Sequence, residues 1–435
     1  MSKQLFEQYE AILLSELLPA LGCTEPIAIA LAVSQARKVL GRIPDRIDLY
    51  CSGNIIKNVR AVVIPNSGGK KGLEIAAALG LYGGNPDLLL EVLSEVNEIH
   101  REQACQYVKE NRICVHHVKD EPNLYLRCEA FSGDESSLTE IKYDHTHFNR
   151  IEKNGEVLFS AGIETIDDHH MDLSCLNLKN IYEFAETWPI NDEAHAELKA
   201  ALDRQIEYNQ AIGQEGINHA HGAEIGRITL FSNMNHLVEQ QCIAYAAAGS
   251  DARMSGCGFP VVINSGSGNQ GMTVSIPLII YATEMKLKRE RLYRALMLAN
   301  LVAIHQKRFI GKLSAFCGVV SASAAAGAGL AYLMNLNFEQ ICKVITNTLA
   351  TSGGMVCDGA KPSCAAKIAV SLNNAMMGIN MARMGKSFEE GDGIVGKNAE
   401  ATIRNVGRMA RVGMSSTDEE ILNIMIHPGC CDNDN

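Results

Sequence analysis

The sequence has no basic stripe. Its formal net charge is −11, and its densest run of Lys and Arg is the short MKLKRERLYR at residues 285–294. An acidic chain of this kind is a poor nucleic-acid ligand, so no nucleic-acid partner is expected. A strongly apolar run is missing as well. An uncharged stretch at residues 313–338 is long enough for a bilayer, but half of it is Ala, Gly and Ser. It reads as a tightly packed interior helix, with no membrane partner expected. The opening MSKQLFEQYEAILLSEL mixes acids with apolar residues and has no signal-peptide pattern. The expected compartment is therefore the reducing cytoplasm, where 14 cysteines are not a disulfide framework. A G-x-S-x-G elbow, a Walker A loop, a repeat of fixed period and low-complexity segments are all lacking.

What remains is an ordinary globular composition, 47% apolar and 20% charged over 435 residues, with length for a large core. Residues 1–40 carry two apolar patterns of helical spacing, QLFEQYEAILLSELLPAL and PIAIALAVSQARKVLG. From about 45 to 165 the pattern changes to short β-branched and aromatic runs: RIDLYCSG, VRAVVIP, RICVHHV, NLYLRCEAF, LTEIKYDHT and EVLFSAG. Turn clusters such as SGDESS and EKNGE separate them. Two helical stretches, LEIAAALGLYG and PDLLLEVLSEVNEIHREQACQYVKE, fall between these runs. After about 170 the 3.6-residue period dominates to the end. The expected fold is α+β: a helix-rich catalytic domain from residues 1–40 and 170–435, with an inserted α+β domain at 45–165 containing a mainly antiparallel sheet.

INSGSGNQGM, residues 263–272, has the G-x-G-x-x-G spacing of a dinucleotide site. A Rossmann unit also needs a following strand that ends in an acid about 20 residues on. Here the glycines lead into the helical pattern KLKRERLYRALMLANLVA, so no NAD is expected. Ser265, Ser267, Asn269 and Gln270 alternate with the glycines. They make either an anion-binding nest of backbone N–H groups or a tight polar turn.

Cys357 and Cys364 flank a turn in GMVCDGAKPSCAAKIA, and Cys317 lies 40 residues before Cys357 in SAFCGVV. Three thiolates can hold three irons of a [4Fe–4S] cluster and leave the fourth open to substrate; they can equally be small buried hydrophobes. Cys23, in LGCTEPIAIA, precedes a helix restart at Pro26, where the helix dipole lowers a thiol pKa and suits it to act as a base; the alternative is a buried linker residue. Asn54, Lys57 and Asn58, in CSGNIIKNVRAVVIP, offer a cation and amides that suit an amino-acid carboxylate, or form a solvated loop. His219 and His221, in GINHAHGAE, have the spacing of metal ligands but no clear carboxylate partner, and read as a surface loop. The pairs His116–His117 and His169–His170 point to opposite faces if extended. Cys430 and Cys431 read as tail thiols.

In this order, ALGCTEPIA, SGNIIKN, DARMSG, NSGSGNQG, LSAFCG and GMVCDGAKPSCAAK resemble the iron–sulfur L-cysteine desulfidase family, related to the alpha chain of bacterial iron–sulfur L-serine dehydratases. The resemblance runs from about residue 10 to 426. It implies an oxygen-sensitive [4Fe–4S] cluster on Cys317, Cys357 and Cys364, with Cys23 as the base. It also implies elimination of sulfide from L-cysteine to give pyruvate and ammonia without pyridoxal phosphate. Ser265, Ser267, Asn269 and Gln270, with Asn54, Lys57 and Asn58, would then hold the carboxylate or amine of a small amino-acid substrate. L-Serine stays open as that substrate, and Cys430 or Cys431 could cap the open iron. Self-association is left open. Two competing readings are a pyridoxal-phosphate enzyme, with the glycine loop as phosphate cup, and a non-catalytic iron–sulfur sensor.

Overall fold

The computed structural model describes residues 2–162, 172–190, 192–232, 234–235 and 237–426. The His169–His170 and Cys430–Cys431 pairs lie outside them. The fold is α+β. After α1 (Lys3–Glu16), β1 (Pro19–Leu21) and α2 (Thr24–Leu40) come β2 (Arg46–Ser52), α3 (Gly53–Val59), α4 (Leu73–Gly83) and α5 (Glu98–Lys109). Then β3 (Ile113–Val118), β4 (Tyr125–Ser132), β5 (Glu135–Lys142), β6 (Phe148–Lys153) and β7 (Glu156–Ser160) follow. Strands β2 to β7 form one six-stranded sheet in the order β3-β2-β4-β5-β6-β7. Only β2 and β3 run parallel; the other pairs are antiparallel.

The alternation of apolar and polar residues fixes this register, because a one-residue slip would turn the buried face outward. In β4, Leu126, Cys128 and Ala130 point inward, fully or almost fully buried. They lie under α2, whose backbone receives two sheet hydroxyls: Ser137 donates to Ala36 O at 2.9 Å and Thr139 to Ala32 O at 2.9 Å. The N-terminal helix α2 is thus part of the layer over the sheet, against which α4 also packs. The β6–β7 hairpin turns at Asn154–Gly155, both with positive φ (52° and 80°), as a two-residue turn between right-twisted strands requires.

Three sequence expectations change here. VRAVVIP is not a sheet strand: only Val63 bridges, to Lys71, while Val62 and Ile64 are buried as a loop ahead of Pro65. SGNIIKN folds as the short helix α3. The polar FNRIEK, which carries little strand signal, forms β6.

The helical part comprises α6 (Leu178–Thr187), α7 (Ala196–Asn218), α8 (Ile225–Phe231), α9 (Val238–Met254), β8 (Pro260–Val262), α10 (Gly268–Glu284) and α11 (Arg289–Ile310). It ends with α12 (Gly318–Leu333), α13 (Phe338–Ser352), α14 (Ser363–Arg383), α15 (Ala399–Arg408) and α16 (Ser415–Ile426). Helix α12 is the Ala/Gly-rich run, and it is buried from Val319 to Leu333. Its small residues permit close approach: a Cβ on Gly327 would sit 3.2 Å from that of Ala375 on α14. Among the described residues, no helix is long and apolar enough to cross a membrane. Strand β8 pairs antiparallel with β1, Leu21 opposite Pro260 and Pro19 opposite Val262. Beyond the pairing, Thr24 Oγ1 donates to Gly266 O at 2.9 Å, which holds the turn of Cys23 beside the glycine loop that follows β8.

Candidate active site

Two connections build the cysteine cradle. Phe316 and Val356 form an antiparallel bridge, in which Cys317 N donates to Met355 O at 2.9 Å and Cys357 N to Ala315 O at 2.6 Å. Cys317 is the N-cap of α12 and Cys364 lies in the first turn of α14, so two packed helices direct their N-termini at one place. Such termini favour thiolates. The Cys317 thiol is hydrogen-bonded to Cys357. That bond raises the pKa of Cys317, together with burial, and lowers that of Cys357 against the effect of burial, with Lys57, the Gly359 backbone and Lys367 adding to the lowering. Burial also raises the Cys364 thiol, with the negative charge of Cys357 adding to it.

The surroundings are cationic. Lys57 is almost fully buried and donates to Asp418 Oδ1 at 2.5 Å and to Cys357 O at 3.3 Å. Lys367 reaches Val356 O at 2.7 Å and pairs with Asp358. Burial lowers Lys307 to about 8, opposed by the charges of Cys357 and Cys317. Three thiols under three ammonium groups suit a bound group that carries net negative charge. Among the described residues, no three His, Cys, Asp or Glu side chains converge as the shell of a single metal ion. Cluster ligands need no such convergence, because each bonds a different iron.

The chain must pass close by to make this cradle. Gly359 has φ +94°, and a Cβ there would stand 2.5 Å from Lys57 O. Gly359→Ala is expected to cost roughly 2–4 kcal/mol, combining a left-handed backbone with overpacking. A lower denaturation midpoint with reduced iron uptake is the expected result; an unchanged midpoint would mean that the turn yields freely.

Opposite the cradle, Cys23 is the N-cap of α2 and is buried. Its thiol donates to Glu25 Oε2 at 2.9 Å. Burial, then the Glu25 charge, push the thiol well above its usual value, against a smaller opposing effect of Arg253. The sequence expectation of a thiol acidified by the helix dipole is therefore reversed: desolvation and a carboxylate in contact outweigh a partial charge. Burial pushes Glu25 up as well, but the nearby His145, with the hydrogen bond from the Cys23 thiol, holds it at about 2. Asn58 Nδ2 donates to Glu25 Oε1 at 3.0 Å, and His145 Nε2 lies 3.8 Å from the same oxygen. Sequence reading missed both Glu25 and His145. Glu25 lies inside the GCTEP motif itself.

The glycine loop closes a third side. Ser267 caps α10 by accepting from Gln270 N, and Ser267 N and Gly271 N bond within the loop. Those N–H groups are not available to an anion. Ser265 adopts φ +50° and donates to Asn264 Oδ1. Asn264 in turn donates to Asn300 Oδ1 at 3.0 Å, which Gln205 also contacts at 3.1 Å. The glycines answer close approaches: a Cβ on Gly266 would meet His145 at 3.2 Å, one on Gly268 Arg253 at 2.5 Å, and one on Gly271 Val262 O at 2.1 Å. Arg253 donates to Gly22 O at 3.0 Å and to Asn269 Oδ1 at 3.1 Å. The loop lies between a three-residue antiparallel strand and α10, with α11 next, which is not a Rossmann arrangement.

Two elements touch both Cys23's surroundings and the cysteine cradle. On α3, Lys57 holds the Cys357 carbonyl while the next residue, Asn58, holds Glu25. In the glycine loop, Gly266 O accepts from Thr24, and a Cβ on Gly318, next to Cys317, would lie 2.6 Å from the Gln270 amide. Asn54 Oδ1, Asn58 Oδ1 and Gln270 Oε1 are buried there without a hydrogen-bond partner. His219 and His221 are elsewhere, both held by Glu215 at 2.9 and 3.1 Å. That glutamate, one turn before His219, is the carboxylate the sequence reading did not find.

The family described as "Serine dehydratase alpha chain" matches this chain over residues 89–423. Among similar chains, a UPF0597 protein of Desulfitobacterium hafniense is 46% identical over 427 residues, 97% of each chain. A UPF0597 protein of Treponema denticola is 43% identical over 432 residues, 98% of this chain and 99% of its own. One of Bacteroides fragilis is 36% identical over 425 residues, again 98% and 99%. The family match takes in Cys317, Cys357, Cys364, His145 and the glycine loop. Cys23, Glu25, Asn54 and Asn58 precede it.

Proposed function

The chain belongs to the serine dehydratase alpha chain family, and from that premise we propose an iron–sulfur lyase that eliminates across Cα–Cβ of L-cysteine, giving sulfide, pyruvate and ammonia. The observation that carries this reading is the three-cysteine cradle beside Lys57, Lys307 and Lys367, with α3 and the glycine loop linking it to the neighbours of Cys23. Cys317, Cys357 and Cys364 have the donor chemistry for three irons of a [4Fe–4S] cluster, which would supply an open iron as Lewis acid for the leaving sulfur.

The remaining work falls to side chains. Cys23, as thiolate, takes the α-proton. Its raised proton affinity makes it a strong base once ionised, and Arg253 is the cation that favours that form. The glycine loop, pinned through Asn264 and Arg253, keeps the substrate from turning its α-hydrogen away from Sγ. Lys57 is committed to Asp418 and Cys357 O, so it supports the cradle rather than reaching substrate. Aminoacrylate then tautomerises and hydrolyses without further help.

L-Serine is the second reading, favoured by the family's description. Anaerobic reconstitution with iron and sulfide, followed by pyruvate assays on each amino acid before and after air, separates the two. Pyruvate from L-cysteine that is lost in air along with the brown colour is the expected result. Pyruvate from L-serine alone reassigns the substrate, cluster without turnover favours a sensor, and failure to take up iron ends the proposal.

A further inference from the structure

The unpaired amide oxygens of α3 point to a more specific assignment, which rests on the reading that an amino acid binds beside Cys23. Asn58 is fixed in orientation by chemistry: a carboxylate accepts only, so the Asn58 group 3.0 Å from Glu25 Oε1 must be the NH₂. Its oxygen is thereby turned away from Glu25, and it is buried with no donor. Asn54 stands one turn earlier on the same helix face, with its oxygen buried and unpaired in the same way. Both residues are 7% exposed. Two sealed acceptors without donors are costly unless a ligand supplies the hydrogens.

The charge behind them selects the ligand. Glu25 stays ionised, held by His145, and its field reaches the site through Asn58. A substrate carboxylate here would meet two lone-pair oxygens backed by a negative charge. An ammonium would meet two acceptors and a favourable field. We propose that Asn58, with Asn54, receives the α-ammonium of the substrate, and that Glu25 is the positioning residue that aims the Asn58 oxygen at it. Of the two substrate ends that these amides could hold, this selects the amine. The other charged groups around Glu25 are Arg253, on the Cys23 side, and Lys312 with its partners Asp144 and Glu16, behind His145.

Cysteamine keeps the thiol and amine and lacks the carboxylate; 3-mercaptopropionate keeps the thiol and carboxylate and lacks the amine. Both are measured as inhibitors of the reconstituted protein. Asn58→Ala is expected to weaken cysteamine about 10- to 100-fold, as loss of a charge-assisted hydrogen bond does, and to leave 3-mercaptopropionate within about threefold. Glu25→Gln should shift the same selectivity without touching the ligand, because a glutamine lets the Asn58 amide turn over; a merely structural role would weaken both compounds alike. Asn54→Ala, which breaks no bond to Glu25, covers the case in which the other two fail to fold. Equal losses for both compounds, or a loss confined to 3-mercaptopropionate, overturn the assignment. If the protein turns over no amino acid, calorimetric binding of the same two compounds still decides it, so failure of the lyase reading and failure of the ammonium site are told apart.

Discussion

Cys357→Ala is expected to abolish iron uptake and, with it, turnover, while leaving the fold intact. Cys357 is the centre of the cradle: it takes the hydrogen bond of Cys317, and its own carbonyl receives Lys57. Removing its sulfur leaves two thiols whose pKa values burial raises, so neither gains the thiolate character that a metal ligand needs. The loss of Lewis-acid assistance is worth several kcal/mol of barrier, on the order of a thousandfold or more in rate. Stability of the metal-free protein should change little, because alanine keeps the backbone bonds to Ala315 and Lys57. Cys51→Ala is the control: Cys51 is fully buried in the sheet, its thiol is pushed to about 12 by burial, and it is not part of the cradle. Iron content, visible absorbance and pyruvate formation read the outcome. Full iron content in Cys357→Ala would move the cluster elsewhere.

The legible parts of the fold are those set by local pattern. Alternation in YLRCEAF and the turn residues in KNGE specify β4 and the β6–β7 hairpin, and the 3.6 period specifies the long helices. FNRIEK and SGNIIKN were illegible because tertiary context decides them: β6 is fixed by pairing with β5 and β7, and α3 by burial against α2 and α16. The cysteines were legible as residue types, since their spacing around a turn suggested a shared ligand. Their surroundings were not. Lysine is normally solvated, and Lys57 is buried only because Asp418, 361 residues away, meets it. Glu25 at a helix start reads as an acid on the favourable end of the dipole. Its contact with Cys23 is local, two residues back, but Asn58 and His145 come from two other elements that no spacing along the chain encodes.

Cys23→Ala should behave in the opposite way to Cys357→Ala. Cys23 makes no bond to the cradle, so the variant is expected to keep its iron and visible absorbance and to lose turnover by about 10²- to 10⁴-fold, the usual contribution of a general base. KM should change less than kcat, because the thiol is aimed at a hydrogen rather than at the groups that bind substrate. The variant leaves Glu25 ionised through His145 and Asn58, which limits the structural cost. The unmodified protein supplies the matching pH signature. A thiol raised by burial and by Glu25 is protonated at neutral pH, so kcat/KM should climb as pH rises on the alkaline side, each unit of pH adding thiolate until Cys23 is titrated. Glu25→Gln removes the like charge and should bring that climb to lower pH. The sign is decisive: a thiol acidified by the start of α2 would already be ionised at neutral pH and give a flat profile. Turnover retained in Cys23→Ala would remove it as the base and leave its bond to Glu25 as a structural one.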